Sequence, residues 1–282
     1  MSEQRSQEAR GLAESALIRL IHAIDDDDVF LVVLGGLVPE YLASESEMVP
    51  EHLGTTDVDV LLISHVGPLI DLGLLESVLD DMEFNPDPNE DGWRWRGPVD
   101  GVQVKLEFLC DLDDQREGEA INPIGCNVLS AMNLRGTGYA ALDYKWESLS
   151  GTLENGTRVT VRARLAGLGG YLLSKCVAAR TRGAEKDFYD FVYVLQHNRA
   201  GGPEEAAANL LDGPLATKLE ELERTFIEVQ ARFEDSNDVG PRGYASQALQ
   251  VEPESSATTL RLDAVDVVER FFTALNSQEA PD

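Results

Sequence analysis

The chain has 282 residues, of which 43% are hydrophobic, and 51 acidic residues against 23 lysines and arginines give it a net charge of −28. This length suffices for one large or two small folded domains, and a chain this acidic repels nucleic acid over most of its surface. No apolar run approaches the roughly 18 residues of a membrane span, and the N-terminal segment lacks the apolar core of a secretory signal.

We therefore expect a cytoplasmic protein without a membrane partner. Three widely spaced cysteines and four scattered histidines argue against a disulfide framework and against a zinc site. The acidity is equally compatible with adaptation to a salty cytoplasm and with an ordinary acidic protein that has a poorly ordered C-terminal region.

The first half of the chain alternates between predicted helices and strands. Apolar residues recur at helical spacing near the N-terminus, and the strand "VFLVVLGG" ends in a glycine turn. Strand signals return in "DVDVLLI" and "VQVKLEFL", and a turn-rich segment between them holds a short strand with Trp93 and Trp95. The predicted elements are a helix at 8–24 ended by Asp25–Asp28, a strand from Val29, a short helix near Val38, a strand at 57–63, a helix at 67–82 and a strand at 102–109.

The second half is predicted to be mostly helical. The signal weakens beyond Asp111 until a strand predicted at 157–165. Helices are predicted at 168–181, 185–197, 203–211, 214–233 and 263–275, with a looser segment at 234–259. We expect two domains, one at 1–155 with helices and strands and one at 156–282 that is mostly helical.

Two aspartates stand in a strand that is otherwise apolar. Asp57 and Asp59 alternate along it and therefore share one face, roughly 6.5–7 Å apart at their Cα atoms. Carboxylates this close repel one another, and a divalent cation such as Mg²⁺ removes the repulsion. Glu107, a third acid with apolar neighbours on a later strand, would complete a two-metal site. An Asp-x-Asp pair alone is more often a solvated strand face, and Asp57 could instead cap a turn.

The order of these features resembles the nucleotidyltransferase superfamily with the DNA polymerase β-like core. The matching residues are Leu34, Gly35, Gly36, Asp57, Asp59 and Glu107. In this family the glycine turn holds a nucleoside triphosphate, and the three acids hold two magnesium ions. The resemblance implies an α+β fold in which a nucleotidyltransferase core, a mixed sheet with helices, is followed by a mostly helical domain.

A second stretch, "YLLSKCVAARTRGAEKDFYDFVYVL" at 171–195, resembles the helical motif of AbiEii-type nucleotidyltransferases. These are the toxins of toxin–antitoxin and phage-defence pairs, and "TTDVDVLL" is similar to their Thr-x-Asp-Ile-Asp-Leu. The resemblance covers about residues 28–200. It implies that Lys175 is catalytic and that the nucleotide is bound by Gly35, Gly36, Thr56, Lys175, Arg182, Lys186 and Asp187.

The same region holds a local excess of basic residues. Seven bases and a single acid, Glu185, occur between residues 158 and 186; the bases are Arg158, Arg162, Arg164, Lys175, Arg180, Arg182 and Lys186. On one continuous helix, Lys175, Arg182 and Lys186 would return to nearly one face and form a phosphate-binding surface. The alternative is a solvated helix face with internal ion pairs, such as Lys186 with Asp190.

The sequence thus predicts a magnesium-dependent nucleotidyltransferase that moves a nucleoside monophosphate from NTP to an acceptor hydroxyl. Asp57 and Asp59 would bind both metals, Glu107 would complete the site, and Lys175 would neutralise triphosphate charge. The resemblance implies an acceptor that is the 3′ end of a tRNA or a protein, and a cognate antitoxin as partner. Two alternatives are an enzyme that modifies small polycationic drugs such as aminoglycosides, and a nucleotide-binding protein without turnover on the same fold.

Overall fold

The computed structural model describes residues 5–24, 31–62, 72–123 and 125–277. The chain divides into two compact units. Unit 1 contains Met1–Val38 and Gly54–Ala166, and unit 2 contains Pro39–Leu53 and Gly167–Asp282. Each unit is therefore built from two separate stretches of chain.

The helices and strands follow one another in an order that mixes both types first and becomes purely helical later. They are α1 (Gln7–Ile24), β1 (Leu31–Leu34), α2 (Pro39–Leu42), β2 (Asp57–Leu62), α3 (Gly73–Asp81), β3 (Asn85–Pro86), β4 (Arg94–Val99), β5 (Val102–Cys110), β6 (Ala120–Ile121), β7 (Ala131–Asn133), α4 (Tyr139–Leu142), β8 (Tyr144–Thr152), β9 (Arg158–Ala166), α5 (Leu168–Thr181), α6 (Glu185–His197), α7 (Pro203–Asp212), α8 (Glu223–Gln230), α9 (Val239–Ala248) and α10 (Ala257–Ser277). Short 3-10 turns occur at Gly35–Leu37, Ala216–Lys218 and Glu220–Leu222.

Unit 1 is organised by one mixed sheet with the strand order β3-β4-β5-β2-β1-β9-β8, to which β7 and β6 are added beside β5. β2 runs antiparallel to β1 and parallel to β5, and β9 runs parallel to β1 and antiparallel to β8. The predicted fold class is confirmed, because a mixed sheet with helices is followed by a helical region. None of the helices in the described ranges combines the length and the apolar composition needed to cross a membrane.

The two faces of this sheet differ sharply in character. Val58, Val60 and Phe108 lie on one face and are fully buried. Helix α1 covers this face, since a Cβ added at Gly151 of β8 would lie 2.9 Å from Ile18 Cδ1. The opposite face carries Asp57 and Asp59, both half-buried. The alternation within β2 thus places the apolar residues in the core and leaves the acids on the other side.

The structure changes the predicted domain boundary. The position between residues 155 and 156 falls inside the connection of β8 to β9, which pair along their whole length. Unit 1 therefore extends to Ala166, and β9 with its arginines belongs to the sheet. The segment Pro39–Leu53, predicted as part of the first domain, belongs to unit 2.

Unit 2 contains a helix that the sequence does not indicate. α9 lies within the predicted looser segment, where two glycines and a proline lower the helix propensity. These glycines permit close packing, because a Cβ at Gly243 would lie 2.9 Å from Phe188 Cδ2 and one at Gly240 would lie 2.6 Å from Phe233. The helix predicted at 214–233 is instead two 3-10 turns followed by α8. No pattern in the sequence predicts β8, and the predicted helix stop at Asp25–Asp28 lies outside the described residues.

Candidate functional site

The glycine turn after β1 is held against the first pair of acids. Gly35 has a φ of +72°, a left-handed conformation that favours glycine. A Cβ on Gly35 would lie 1.8 Å from Asp59 Oδ2, and one on Gly36 would lie 2.7 Å from Thr55 Cβ. Both glycines are therefore required by close approach, and the turn lies directly beside the Asp59 carboxylate.

The three predicted acids share one face of the sheet. Asp59 is paired with Glu107 on the parallel neighbour β5, and Asp57 is paired with Lys105. Paired residues on adjacent strands point to the same side, so Asp57, Asp59 and Glu107 project together. Thr55 Oγ1 donates a hydrogen bond of 2.5 Å to Asp57 Oδ1. The hydroxyl that orients Asp57 is thus that of Thr55, and the predicted nucleotide ligand Thr56 lies at a half-buried position next to it.

Two arginines that were not among the predicted site residues lie on this same face. Arg94 of β4 is paired with Glu107, and its Nε donates to Glu107 Oε1 at 2.8 Å. Arg96 is paired with Lys105 and donates to Asp87 Oδ2 at 2.5 Å, which holds the pKa of the Asp87 carboxyl below its usual value. The alternation Trp-Arg-Trp-Arg at 93–96, where β4 begins, is the signal that could have identified these arginines.

The donor set suits magnesium, but the side chains are not gathered around one point. Three carboxylates on adjacent strands supply the hard oxygen ligands that this ion prefers. Within the described ranges, no three acidic, histidine or cysteine side chains stand close enough together to hold a metal ion. Glu107 accepts from Arg94 instead. The strand register therefore suits a metal site, but Glu107 would have to give up its hydrogen bond to Arg94 before it could bind the ion.

The predicted helical motif forms a buried charged cluster in unit 2. Lys175 is only 7% exposed, and its Nζ lies 2.7 Å from Asp190 Oδ2 and 3.5 Å from Asp187 Oδ1. Arg182 Nη2 donates to Asp187 Oδ1 at 2.8 Å. Lys175 is therefore a buried counterion of two aspartates, which contradicts the alternative interpretation of a solvated helix face.

The same cluster contains a histidine from the first stretch of unit 2. His52 Nε2 lies 3.0 Å from Asp190 Oδ1, and both residues are buried. Its ring stacks on Tyr189 with centroids 5.0 Å apart. Asp187 Oδ2 is buried and has no hydrogen-bond partner among the residues that the structure describes. In the sequence His52 is one of four scattered histidines, and no spacing indicates its partner because Asp190 lies 138 residues away along the chain.

The predicted basic surface is divided between the two units. Arg158, Arg162 and Arg164 lie on β9 in unit 1, whereas the other four bases lie in unit 2. The helix also breaks before Lys186, because α5 ends at Thr181 and Gly183 has a φ of +59°. The seven bases therefore do not follow one continuous helix. Asp190 pairs with Lys175 and His52, where the alternative interpretation paired it with Lys186.

Comparison with known proteins adds little to this geometry. No protein-family model matches the chain, and no curated protein matches it. A crystal structure of a proposed nucleotidyltransferase from H. pylori is similar over 98% of this chain and 100% of that chain, with 12% sequence identity and a TM-score of 0.43. A similarity at this identity and TM-score establishes neither a shared fold nor a shared activity. The function is therefore inferred from the residues themselves.

Proposed function

We propose that this protein is a magnesium-dependent nucleotidyltransferase, which transfers a nucleoside monophosphate from NTP to an acceptor hydroxyl and releases pyrophosphate. One observation carries the proposal: Gly35 lies against Asp59, and Asp59 is in register with Glu107 on the next strand. A glycine turn has no side chain to keep a triphosphate away from its backbone, and Gly35 is half-buried at this point of the sheet. Carboxylates at that point of the sheet are suited to the metal ions that accompany it.

Asp57, Asp59 and Glu107 would hold the magnesium. When bound, magnesium neutralises charge on the phosphate oxygens and stabilises both the attacking and the leaving oxygen. Thr55 orients Asp57 through its 2.5 Å hydrogen bond. Glu107 would leave Arg94 to complete the set and would help to take the proton of the attacking hydroxyl. The acceptor oxygen would then bond to the α-phosphorus as the bond to the β-phosphate oxygen breaks.

Lys175 would assist from within its cluster. An ammonium has three donors, and Asp187 and Asp190 engage two of them among the described residues. A phosphate oxygen could take the third. Arg182 is half-exposed at its side chain and Lys186 is exposed, so both could add charge for a triphosphate. Asp187 would then position Lys175 and Arg182 and would not contact the nucleotide itself.

The acceptor proposed from the sequence resemblance is the 3′ end of a tRNA or a protein hydroxyl, and the biological role is that of a toxin restrained by a cognate antitoxin. Support for this finer proposal comes from the motif at 171–195 and from the similarity of "TTDVDVLL" to the AbiEii-type pattern. Expression of the wild-type chain would then slow growth of the host cell. Asp57→Ala should relieve this toxicity at an equal protein level, and toxicity that persists would assign the effect to something other than transfer.

The direct test is incubation of the full chain with each labelled NTP, magnesium and, in separate tubes, total RNA, total protein or an aminoglycoside. We expect label to move to one acceptor class, with release of pyrophosphate. Asp59→Asn should abolish transfer, because an amide cannot replace a carboxylate as ligand of two cations. Glu147→Gln is the matched control, since Glu147 lies on β8 in register with Ala163, on the opposite face of the sheet.

The outcome separates the proposal from its alternatives. Label on the aminoglycoside alone would identify a drug-modifying enzyme and remove the toxin role. If the wild type moves label to no acceptor from any NTP, or if Asp59→Asn keeps most of its activity, the transferase assignment fails. Binding of an NTP without transfer would then leave a nucleotide-binding protein.

A further inference from the structure

The β8–β9 ribbon presents an unusual face at one edge of the unit 1 sheet. Arg164 of β9 is paired with Trp146 of β8, and Arg162 is paired with Ser148, so the alternate residues of both strands project together. This side of the ribbon carries three arginines, Trp146 and Tyr144, with serine, threonine and one alanine at the other positions. It holds no acid, although the chain has a net charge of −28.

The ribbon face continues the face that carries the acids. Val33 of β1 is paired with Leu165 of β9 and with Val60 of β2, so these three residues point to the apolar side. Their neighbours Leu34, Arg164 and Asp59 therefore point to the other side. Only β1 separates β9 from β2 in the sheet. At about 4.8 Å per strand, β9 lies roughly 10 Å across the sheet from β2. Ala166 of β9 is level with Asp59, so Arg164, Arg162 and Arg158 lie two, four and eight residues further along the strands. The arginines therefore form a row that leads along the ribbon towards the acids.

Two of the three arginines of the ribbon lie over an aromatic ring. The guanidinium carbons of Arg162 and Arg164 lie 4.5 Å and 4.2 Å from the centroid of the Trp146 ring. Trp146 is nevertheless 39% exposed. Arg158 and Arg162 are exposed, and neither forms an ion pair with a residue in the described part of the chain. Their charges are thus available to an external anion.

We infer that this face, formed by Tyr144, Trp146, Arg158, Arg162 and Arg164, binds single-stranded nucleic acid and delivers its end to the row of acids. The arginines would contact successive phosphates, and Trp146 with its stacked guanidinium planes would offer flat surfaces to bases. The identity of this strand as the acceptor rests on the proposed transferase function, whereas the binding itself does not.

Single-stranded nucleic acid fits this surface better than an acidic protein does. Both ligands would satisfy the arginines, but only bases use the exposed indole and the guanidinium planes. The uncharged hydroxyls at the remaining positions can donate to phosphate or sugar oxygens. An otherwise acidic surface would repel a strand elsewhere, so binding would be confined to this ribbon.

The test is fluorescence anisotropy of a labelled single-stranded RNA, titrated with the full chain over a range of salt concentrations without NTP or magnesium. The double variant Arg158→Gln/Arg162→Gln should bind more weakly. The slope of log affinity against log salt should fall by about 1.4, since each lost phosphate contact of a single strand contributes about 0.7. Trp146→Ala should weaken binding roughly fivefold to a hundredfold with little change in this slope, and Trp146→Phe should retain more affinity.

The matched control is Arg224→Gln/Arg270→Gln, which changes the net charge equally but removes arginines that pair with Glu228 and Glu204. It should bind the RNA as the wild type does. DNA of the same sequence shows whether the 2′-hydroxyl matters, and labelled polyglutamate tests an acidic protein partner. The inference is overturned if the wild type does not bind the RNA, if the ribbon variants bind like the control, or if polyglutamate binds equally well and Trp146→Ala has no effect. Because neither NTP nor magnesium is present, failure of the transferase assay would leave these results unchanged.

Discussion

Gly35 and the carboxylate of Asp59 are so close that an added Cβ on Gly35 would lie 1.8 Å from Asp59 Oδ2. This contact joins the turn after β1 to the acid of β2. Any side chain at Gly35 would therefore displace the aspartate or open the turn.

Gly35→Ala should lower both stability and activity. The φ of +72° alone would cost an alanine about 1–2 kcal/mol in the free energy of unfolding, and the collision with Asp59 adds to this. Urea unfolding and labelled-NTP transfer measure the two effects. Gly11→Ala is the control, because a Cβ at Gly11 in α1 meets nothing within 4 Å. It should stabilise by up to about 1 kcal/mol. Equal results for the two variants would contradict the close contact.

Arg94→Gln should strengthen magnesium binding in the absence of nucleotide. Glu107 Oε1 accepts from Arg94 at 2.8 Å, so the guanidinium competes with the ion for this carboxylate. Isothermal titration with magnesium should show a severalfold gain in affinity for the variant. Arg96→Gln supplies the control, since Arg96 pairs with Asp87 and should leave the affinity unchanged. Weaker magnesium binding in Arg94→Gln would instead show that Arg94 positions Glu107 for the metal.

Lys175→Ala should destabilise the protein by about 3–5 kcal/mol, because removing one partner of a buried ion pair leaves the other charge uncompensated. Asp187 and Asp190 are both buried beside it. Chemical denaturation with two probes checks the size of the loss. Lys218→Ala removes an exposed lysine that pairs with Glu221 and should change stability by less than about 0.5 kcal/mol. A loss in Lys175→Ala as small as that of the control would return Lys175 to the solvated-face interpretation.

His197 should make the protein less stable as the pH falls from about 6.5 towards 4. Burial lowers the pKa of His197 to about 4 in the folded protein, from about 6.5 for an exposed histidine. Between these values the unfolded chain binds the proton that the folded protein rejects, so stability decreases with falling pH. The full contribution is about 3 kcal/mol and is reached below pH 4. His197→Gln should remove this part of the pH dependence, measured by urea unfolding, while His22→Gln at an exposed position should not. If the free energy of unfolding depends on pH in the same way for the wild type and His197→Gln, the prediction is wrong.

The strands and helices with strong patterns could be predicted from the sequence, together with the shared face of the acids. The alternation of Asp57 and Asp59 with buried valines fixes their side of β2, and the position of Glu107 follows from the same rule on β5. The pattern within one strand does not determine the register in which it pairs with its neighbour. The pairing of Arg94 with Glu107 depends on how two strands align, which only the folded sheet determines.

Lys175 shows the same limit for helices. Its spacing to Arg182 and Lys186 predicts a common face only if one helix continues through all three residues. Gly183, with its positive φ, interrupts the helix between Arg182 and Lys186. The partners of Lys175 come from the next helix, α6, at a distance along the chain that helical periodicity does not describe. The sequence does not predict α9, because glycine is a poor helix former in isolation. The glycines of α9 are needed for its packing against Phe188 and Phe233.

The chain passes from one unit to the other at three places, after Val38, Leu53 and Ala166. During synthesis β1 and β2 can pair as soon as both have left the ribosome. The segment Pro39–Leu53 that connects them can pack only after α6 has been synthesised. His52 of this segment pairs with Asp190 of α6, and the Leu53 amide donates to the Tyr189 hydroxyl of α6. A fragment ending at Ala166 would therefore contain the segment Pro39–Leu53 without the helices against which it packs. A fragment beginning at Gly167 would lack this segment, which is part of unit 2. A single cut of the chain therefore cannot produce either unit as a complete fold. The segment that joins the turn at Gly35 to the strand of Asp59 depends on a helix that is synthesised much later.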